Sequence, residues 1–177
     1  MPLTTKRALA TSLKNMLSKK TLDKITVKDI VDDCSLNRQT FYYHFHDTYA
    51  LLEWMYLDEA KDIVDNIDDP VKQSGKFDLI LNFIVKNKTL VLNTYRSLDP
   101  DFLMEKLKSF ILPVIVMVGK SIAPNVDKEE IDFTAEMYTY ALIGLSTDWA
   151  KKGLPEEYLP KFTKLGHMIL NGMKALN

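Results

Sequence analysis

Residues 26–45 read TVKDIVDDCSLNRQTFYYHF, and their pattern decides the fold. Thr26 and Asp29 make a capping box, and Ile25 with Ile30 forms a hydrophobic staple around it, so a helix starts here. Val27, Ile30 and Val31 supply its buried side. The helix stops near Cys34, Ser35 and Leu36 make a turn, and Asn37 caps a second short helix. Leu36 and Phe41 form a second staple. Phe41 and Phe45 fall one helical turn apart and face inward. Arg38, Gln39, Thr40, Tyr42, Tyr43 and His44 are left on the other faces. Two short helices joined by a tight turn, the second crowded with long polar side chains, make a helix-turn-helix whose second helix fits a DNA major groove.

Upstream, Thr4 or Thr5 caps a first helix that runs to about Ser18, with Leu9, Leu13, Met16 and Leu17 on one apolar stripe. Lys6, Arg7 and Lys14 lie off that stripe, either as a solvated face or as phosphate contacts. Downstream, a long helical pattern starts at Asp47 and reaches about Ile67. Leu51, Leu52, Met55, Ala60, Ile63 and Ile67 form its apolar side, and Asp58, Glu59, Asp62 and Asp65 an acidic exposed side. The polar stretch from Asp68 to Lys76, with Pro70 and Gly75, is the best internal boundary.

Five further helical segments follow, roughly Phe77 to Lys86, Lys88 to Ser97, Pro100 to Lys120, Lys128 to Lys152 and Pro155 to Leu176. Pro113 should kink or split the third of them. The run VIVMV after it has strand-like composition, but a lone strand lacks partners, so helix is the reading. Ile131, Ala135, Tyr138, Leu142, Leu145 and Trp149 repeat at alternating four and three spacing, a coiled-coil-like seam. Phe133, Met137, Tyr140 and Gly144 form a second apolar row on the same helix. The last helix offers Phe162, Leu165, Ile169, Met173 and Leu176, with Gly166 and Gly172 allowing close approach. A helix with two apolar faces needs two partners, one of which fits a second subunit.

A chain of 177 residues with 46% hydrophobic and 27% charged residues is ordinary for a soluble globular protein. The net charge of -1 hides an asymmetry. The first fifty residues hold eight basic against five acidic side chains, and the rest fifteen against nineteen. A basic N-terminal unit on an acidic body suits a protein that offers one end to a polyanion. The single cysteine, Cys34, permits no internal disulfide and gives no sign of an oxidising compartment; it reads as a small buried residue at a helix end. The N-terminus has charges at helical spacing, unlike a signal peptide. FILPVIVMVG, from Phe110, is too short to span a bilayer. A soluble, cytoplasmic chain without membrane partners is expected.

Enzyme chemistry finds no motif. The six glycines are scattered, no nucleophile elbow occurs, and Cys34 has no His–acid arrangement around it. His44 and His46 are the one close histidine pair, short of a metal site by usual ligand spacings. No catalytic residue, metal or cofactor is therefore expected. DNA readout suits the residues better. Arg38 can bond guanine and Gln39 adenine, each in bidentate fashion, and Thr40 can meet a thymine methyl or a phosphate. Tyr42, Tyr43 and His44 can bond phosphate oxygens, and the N–H groups at Thr26 and Lys28 can receive another. Each has a bland alternative: Tyr42 or Tyr43 packing inside, or Arg38 paired with Asp33.

The stretch ITVKDIVDDCSLNRQTFYYHFHDTYALL resembles the DNA-binding domain of the TetR family of transcriptional regulators. It has that family's apolar-Thr-apolar helix start, its turn, the run Thr40 to Phe45, and the Leu51–Leu52 pair that opens the fourth helix. The resemblance covers roughly residues 4–55. It implies an all-α homodimer on a palindromic operator of double-stranded DNA. The fold expected is an N-terminal three-helix helix-turn-helix domain (residues 1–47) before a helical-bundle ligand and dimerisation domain (residues 48–177), with about nine helices. It also implies Thr26, Arg38, Gln39, Thr40, Tyr42, Tyr43 and His44 as DNA-contacting positions. Where the family commonly has a phosphate-reaching lysine, this chain has Thr48, which can bond a phosphate without charge; Lys6, Arg7 or Lys28 could compensate. The short C-terminal part resembles a subgroup that includes regulators of dihydroxyacetone kinase operons.

The expected function is a regulator controlled by an unidentified small-molecule effector or protein co-regulator. Tyr95, Phe102, Met117, Tyr138 and Trp149 are the candidate pocket residues, with core packing as the alternative for each. Leu142, Leu145, Trp149, Phe162, Leu165, Ile169 and Met173 are the candidate dimer interface. The rivals are a protein-interaction adaptor of the same fold without DNA binding, and a carrier or enzyme built in the helical body.

Overall fold

The computed structural model describes residues 2–64 and 74–176. Among them it is all-helical: α1 (Pro2–Leu17), a 3-10 turn (Leu22–Lys24), α2 (Val27–Asp33), α3 (Arg38–His44), α4 (Thr48–Val64), α5 (Ser74–Lys86), α6 (Lys88–Ser97), α7 (Pro100–Ile122), α8 (Lys128–Lys151), a 3-10 turn (Glu156–Tyr158) and α9 (Leu159–Lys174). No described helix is long and apolar enough to cross a membrane. The expected start of α1 moves forward, because Pro2 is itself helical and suits a first turn that needs no N–H, so Thr4 and Thr5 lie inside the helix. The polar break expected from Asp68 lies mostly outside the described residues, as do the side chains of Ala60, Asp62, Ile63, Asp65 and Ile67; Gly75 falls within the first turn of α5.

The helices group into two compact units: α1 to α4 with α6, and α5 with α7, α8 and α9. The first unit is therefore larger than a boundary after residue 47 implies, because α4 and α6 both pack on α1. Leu9, Leu13 and Leu17 of α1 are fully buried, with Leu51, Leu52 and Met55 of α4, Ile30 and Val31 of α2, and Phe41 and Phe45. The side of α4 expected to face solvent is partly tied to α1: the Arg7 guanidinium meets Asp58 at 3.2 Å and Lys14 meets Glu59 at 2.6 Å. Ser12 is buried within the stripe and donates to the Ile30 carbonyl.

In the second unit α7, α8 and α9 pack closely on one another, and α5 lies on α9. Pro113 does not split α7, which continues through it. Pro113 and Ser109, whose carbonyl loses its usual donor, both lie on the exposed side, where water can take that bond. Ile131, Ala135, Leu142, Ile143 and Trp149 of α8 enter the core, as do Phe162, Ile169 and Met173 of α9. Gly153 takes φ 81° just past α8, and the Leu154 N–H reaches back to the Trp149 carbonyl, a left-handed helix stop. Trp149 lies 4.9 Å from Phe162 ring to ring and donates its indole N–H to the Pro155 carbonyl at 2.9 Å.

Candidate nucleic-acid interface

The start of α2 is built as a reciprocal cap. The Asp29 N–H donates to Thr26 Oγ1 at 3.1 Å, and the Thr26 N–H donates to Asp29 Oδ2 at 2.9 Å. The Thr26 backbone N–H, then its hydroxyl, hold the Asp29 carboxyl below its ordinary value, with Lys20 at 3.5 Å adding to this. Beyond that cap, the Val27 and Lys28 N–H groups have no acceptor among the described residues. Thr26 and Lys28 are exposed.

The turn closes tightly. Ser35 takes φ 54°, its N–H reaches the Asp32 carbonyl, and the Leu36 N–H reaches the Val31 carbonyl at 2.8 Å. Cys34 is half-buried rather than buried. Its thiol donates to the Ala8 carbonyl at 3.3 Å, and partial burial pushes it up from its ordinary value, which keeps it a poor nucleophile.

Asn37 then caps α3, its Oδ1 accepting from the Thr40 N–H at 2.8 Å and from the Thr40 hydroxyl at 3.0 Å. That second bond turns the Thr40 hydroxyl back on the cap. Phe41 is fully buried and anchors the helix; it touches Phe45 at 6.0 Å, and Phe45 touches Trp54 at 6.0 Å. With that side fixed, Arg38 and Gln39 stand exposed, Tyr42 is 57% exposed and Tyr43 81%. Neither tyrosine packs inside, and Arg38 has no ion-pair partner among the described residues, Asp33 included. His44 is half-buried with its ring edge-on to Tyr43 at 4.9 Å. Thr48 is half-buried in the first turn of α4, which Asp47 caps through the Ala50 N–H at 2.8 Å.

Two positions near this face were not foreseen in their roles. Lys6 lies over the rings of Phe45 and Trp54, 5.4 and 5.8 Å from their centres, so its ammonium braces the aromatic anchor of α3. Arg7 is held by Asp58, away from the compensating role considered for it. Trp54 carried no signal beyond being an aromatic residue beside the α4 stripe.

The other candidates distribute differently. Tyr95 lies on α6 of the first unit and is half-buried; in the second unit Phe102 is half-buried and Met117 41% exposed. The Tyr138 hydroxyl donates to the Met168 carbonyl, and Trp149 is core. None of these five lines either of two open depressions on the second unit, one walled by Leu112, Val116, Asp132 and Phe133 of α7 and α8, the other by residues near Pro124. Of the interface candidates, Leu142, Trp149, Phe162, Ile169 and Met173 are buried within the chain itself, and Leu145 and Leu165 half-buried. Core packing takes that row, so the first five have no surface to offer a second copy. The other α8 row is the exposed one: Phe133 at 70%, Met137 at 50% and Tyr140 at 47%.

Residues 74–171 match the family described as transcriptional regulator C-terminal region, of the TetR type, which is more than half of the chain. The chain belongs to the TetR family of transcriptional regulators. This TetR-family chain is 24% identical over 84 residues to the HTH-type dhaKLM operon transcriptional activator DhaS of Lactococcus lactis subsp. lactis (strain IL1403). That match spans 48% of this chain and 45% of the relative's length. A solved structure titled dihydroxyacetone kinase operon activator DhaS has the same fold, with a TM-score of 0.69 over 98% of both chains at 17% identity. Transcription regulation is thus the role of the family, and α2 and α3 form the helix-turn-helix of this chain.

Proposed function

We propose that this regulator binds double-stranded DNA by laying α3 in the major groove, as a homodimer on a palindromic operator. A small effector or a protein partner acts on the helical body to change the population of DNA-competent dimers. The observation that carries the reading is the outer face of α3: Arg38, Gln39, Tyr42 and Tyr43 stand in solvent while Phe41 and Phe45 fix the inner side. Arg38 and Gln39 read base edges, and Tyr42, Tyr43 and Lys28 set register on phosphates. His44, Thr26 and Thr48 are supporting phosphate contacts, and Thr40 offers a methyl to thymine. Two copies would place their α3 helices about 34–36 Å apart, one turn of DNA.

The exposed row of Phe133, Met137 and Tyr140, with Gly144 also exposed on α8, is the face offered to the second copy. A contiguous apolar row of this kind on a soluble chain marks an interaction surface. Because the relatives carry the word activator in their names, activation is the sign of regulation to test first.

The test begins with duplexes that the chain selects from a random-sequence pool. Arg38→Ala should weaken binding by about 1–3 kcal/mol and relax preference at one base position per half-site. Unchanged affinity and preference would remove Arg38 from readout. No salt-sensitive binding to any duplex would overturn the DNA-reading proposal as a whole.

A further inference from the structure

The segment that completes the DNA-reading unit comes from beyond α5. Between two helices of the second unit, the chain returns to the first as α6, joined to α5 through Asn87 and to α7 through Leu98 and Asp99. Its buried side carries Leu90, Asn93 and Thr94, two of them polar. Both polar side chains have hydrogen-bond partners within the unit. The Asn93 side-chain amide donates to the carbonyl of Leu17, the last residue of α1, at 2.8 Å. Ser97 Oγ accepts from the Leu22 N–H at 2.8 Å and donates to the Asn93 carbonyl at 2.6 Å. Thr94 shares a 2.9 Å hydrogen bond with the Tyr56 hydroxyl of α4.

These contacts fall on one short link. Leu17 and Leu22 bracket the residues that connect α1 to the 3-10 turn, and the Ile25 N–H closes that turn on the Leu22 carbonyl at 2.9 Å. Thr26, the cap of α2, follows immediately. Helix ends leave carbonyls unsatisfied, and a buried orphan carbonyl or N–H is costly, so side chains from α6 that satisfy both sides of the link also fix its path. We infer that Asn93 and Ser97 are positioning residues for DNA reading, clamping the α1–α2 link so that α2 and α3 are held in the geometry that fits the groove. This rests on the DNA-reading proposal above.

The experiment uses the full chain and the duplex that the wild-type protein selects from a random pool. Ser97→Ala and Asn93→Ala are compared with Ser97→Thr, which keeps the hydroxyl, and with Arg96→Ala, an exposed neighbour. Fluorescence anisotropy reads affinity and amide hydrogen exchange reads residues 18–26. Expected are about tenfold weaker binding for each alanine variant with unchanged base preference, and faster exchange across the link. Ser97→Thr restores both, and Arg96→Ala leaves both alone. Faster exchange with unaltered affinity overturns the positioning role, as does unaltered exchange in both alanine variants. Should an alanine variant lose its helical circular dichroism, the failure of Ser97→Thr to restore binding would overturn it. Should the wild-type chain select no duplex, the DNA-reading proposal falls by itself, and exchange across the link alone decides the clamp.

Discussion

Ser35 holds the left-handed conformation that closes the helix-turn-helix, at φ 54°. A side chain there meets its own carbonyl, at roughly 1–2 kcal/mol, while glycine avoids the clash but has more freedom to lose on folding. The clash is the larger effect, so Ser35→Gly should stabilise the chain by about 0.5 kcal/mol in chemical denaturation; a lower midpoint would show that the serine side chain matters more than its strain. The cap at Thr26 acts in the other direction. Thr26→Ala removes the acceptor for the Asp29 N–H and should cost about 1 kcal/mol. The lowered Asp29 carboxyl gives the cap an acid limit: its contribution is present above the ordinary value of 3.8 and lost as pH falls through the depressed one. Tyr56 sets a limit at the opposite end. Burial beside Thr94 pushes its hydroxyl from 10.0 up to about 12, so the folded state favours the neutral phenol. That stability is whole below pH 10 and drains as pH rises towards 12. Denaturation midpoints in mildly and strongly alkaline buffer should diverge for wild type and far less for Tyr56→Phe.

Among the helices, Gly172 of α9 is where α8 comes closest: a Cβ there would lie 2.0 Å from the Tyr138 hydroxyl and 2.9 Å from the ring carbon that bears it. Gly172→Ala should therefore push the ring off the Met168 carbonyl and destabilise by about 1 kcal/mol net, since the overpacking outweighs the better helix propensity of alanine. In a Tyr138→Ala background the same change should become neutral or stabilising, and a persistent loss there would place the clash elsewhere. The close approach was legible as a glycine in an apolar helix. So were both short helices of the reader, because their caps and staples are local and say which side is inward before any packing is known. The two apolar rows of α8 were not separable in this way. Ile131, Ala135, Leu142 and Trp149 are no more apolar than Phe133, Met137 and Tyr140 as a set, and only the positions of α7 and α9 decide that the first row is core. Pro113 does not split α7 for a related reason: local rules penalise the missing N–H, and on the exposed side water can take the bond that the Ser109 carbonyl loses.

For the molecule as a whole, the exchange of rows changes what a disruption of the proposed dimer must target. Leu142→Asp with Ile169→Asp now places charges in a core where both side chains are under a tenth exposed, and should unfold the chain. Phe133→Asp with Met137→Asp acts on the surface and should give monomers in sedimentation with helical content intact; a persistent dimer would move the interface off this face. The first compact unit takes in α4 and α6 beyond residue 47, and the place of α6 is a long-range choice. Its only local sign is Asn93 and Thr94 set into an apolar stretch, polar groups on a side that must be buried. That placement also has a consequence in time. The bonds from α6 to α1 and to the first 3-10 turn link residues 76 and 75 positions apart, so they cannot form until α6 has been made. At about 5–20 residues per second of synthesis, the interval between the end of α4 and the end of α6 lasts on the order of a few seconds. During it the nascent chain carries its reading helices with the α1–α2 link still unclamped, and the last turn of α1 is open to chaperones or to misplaced partners. The helix-turn-helix is made well before α6, yet the unit that holds it can finish folding only once α6 has followed.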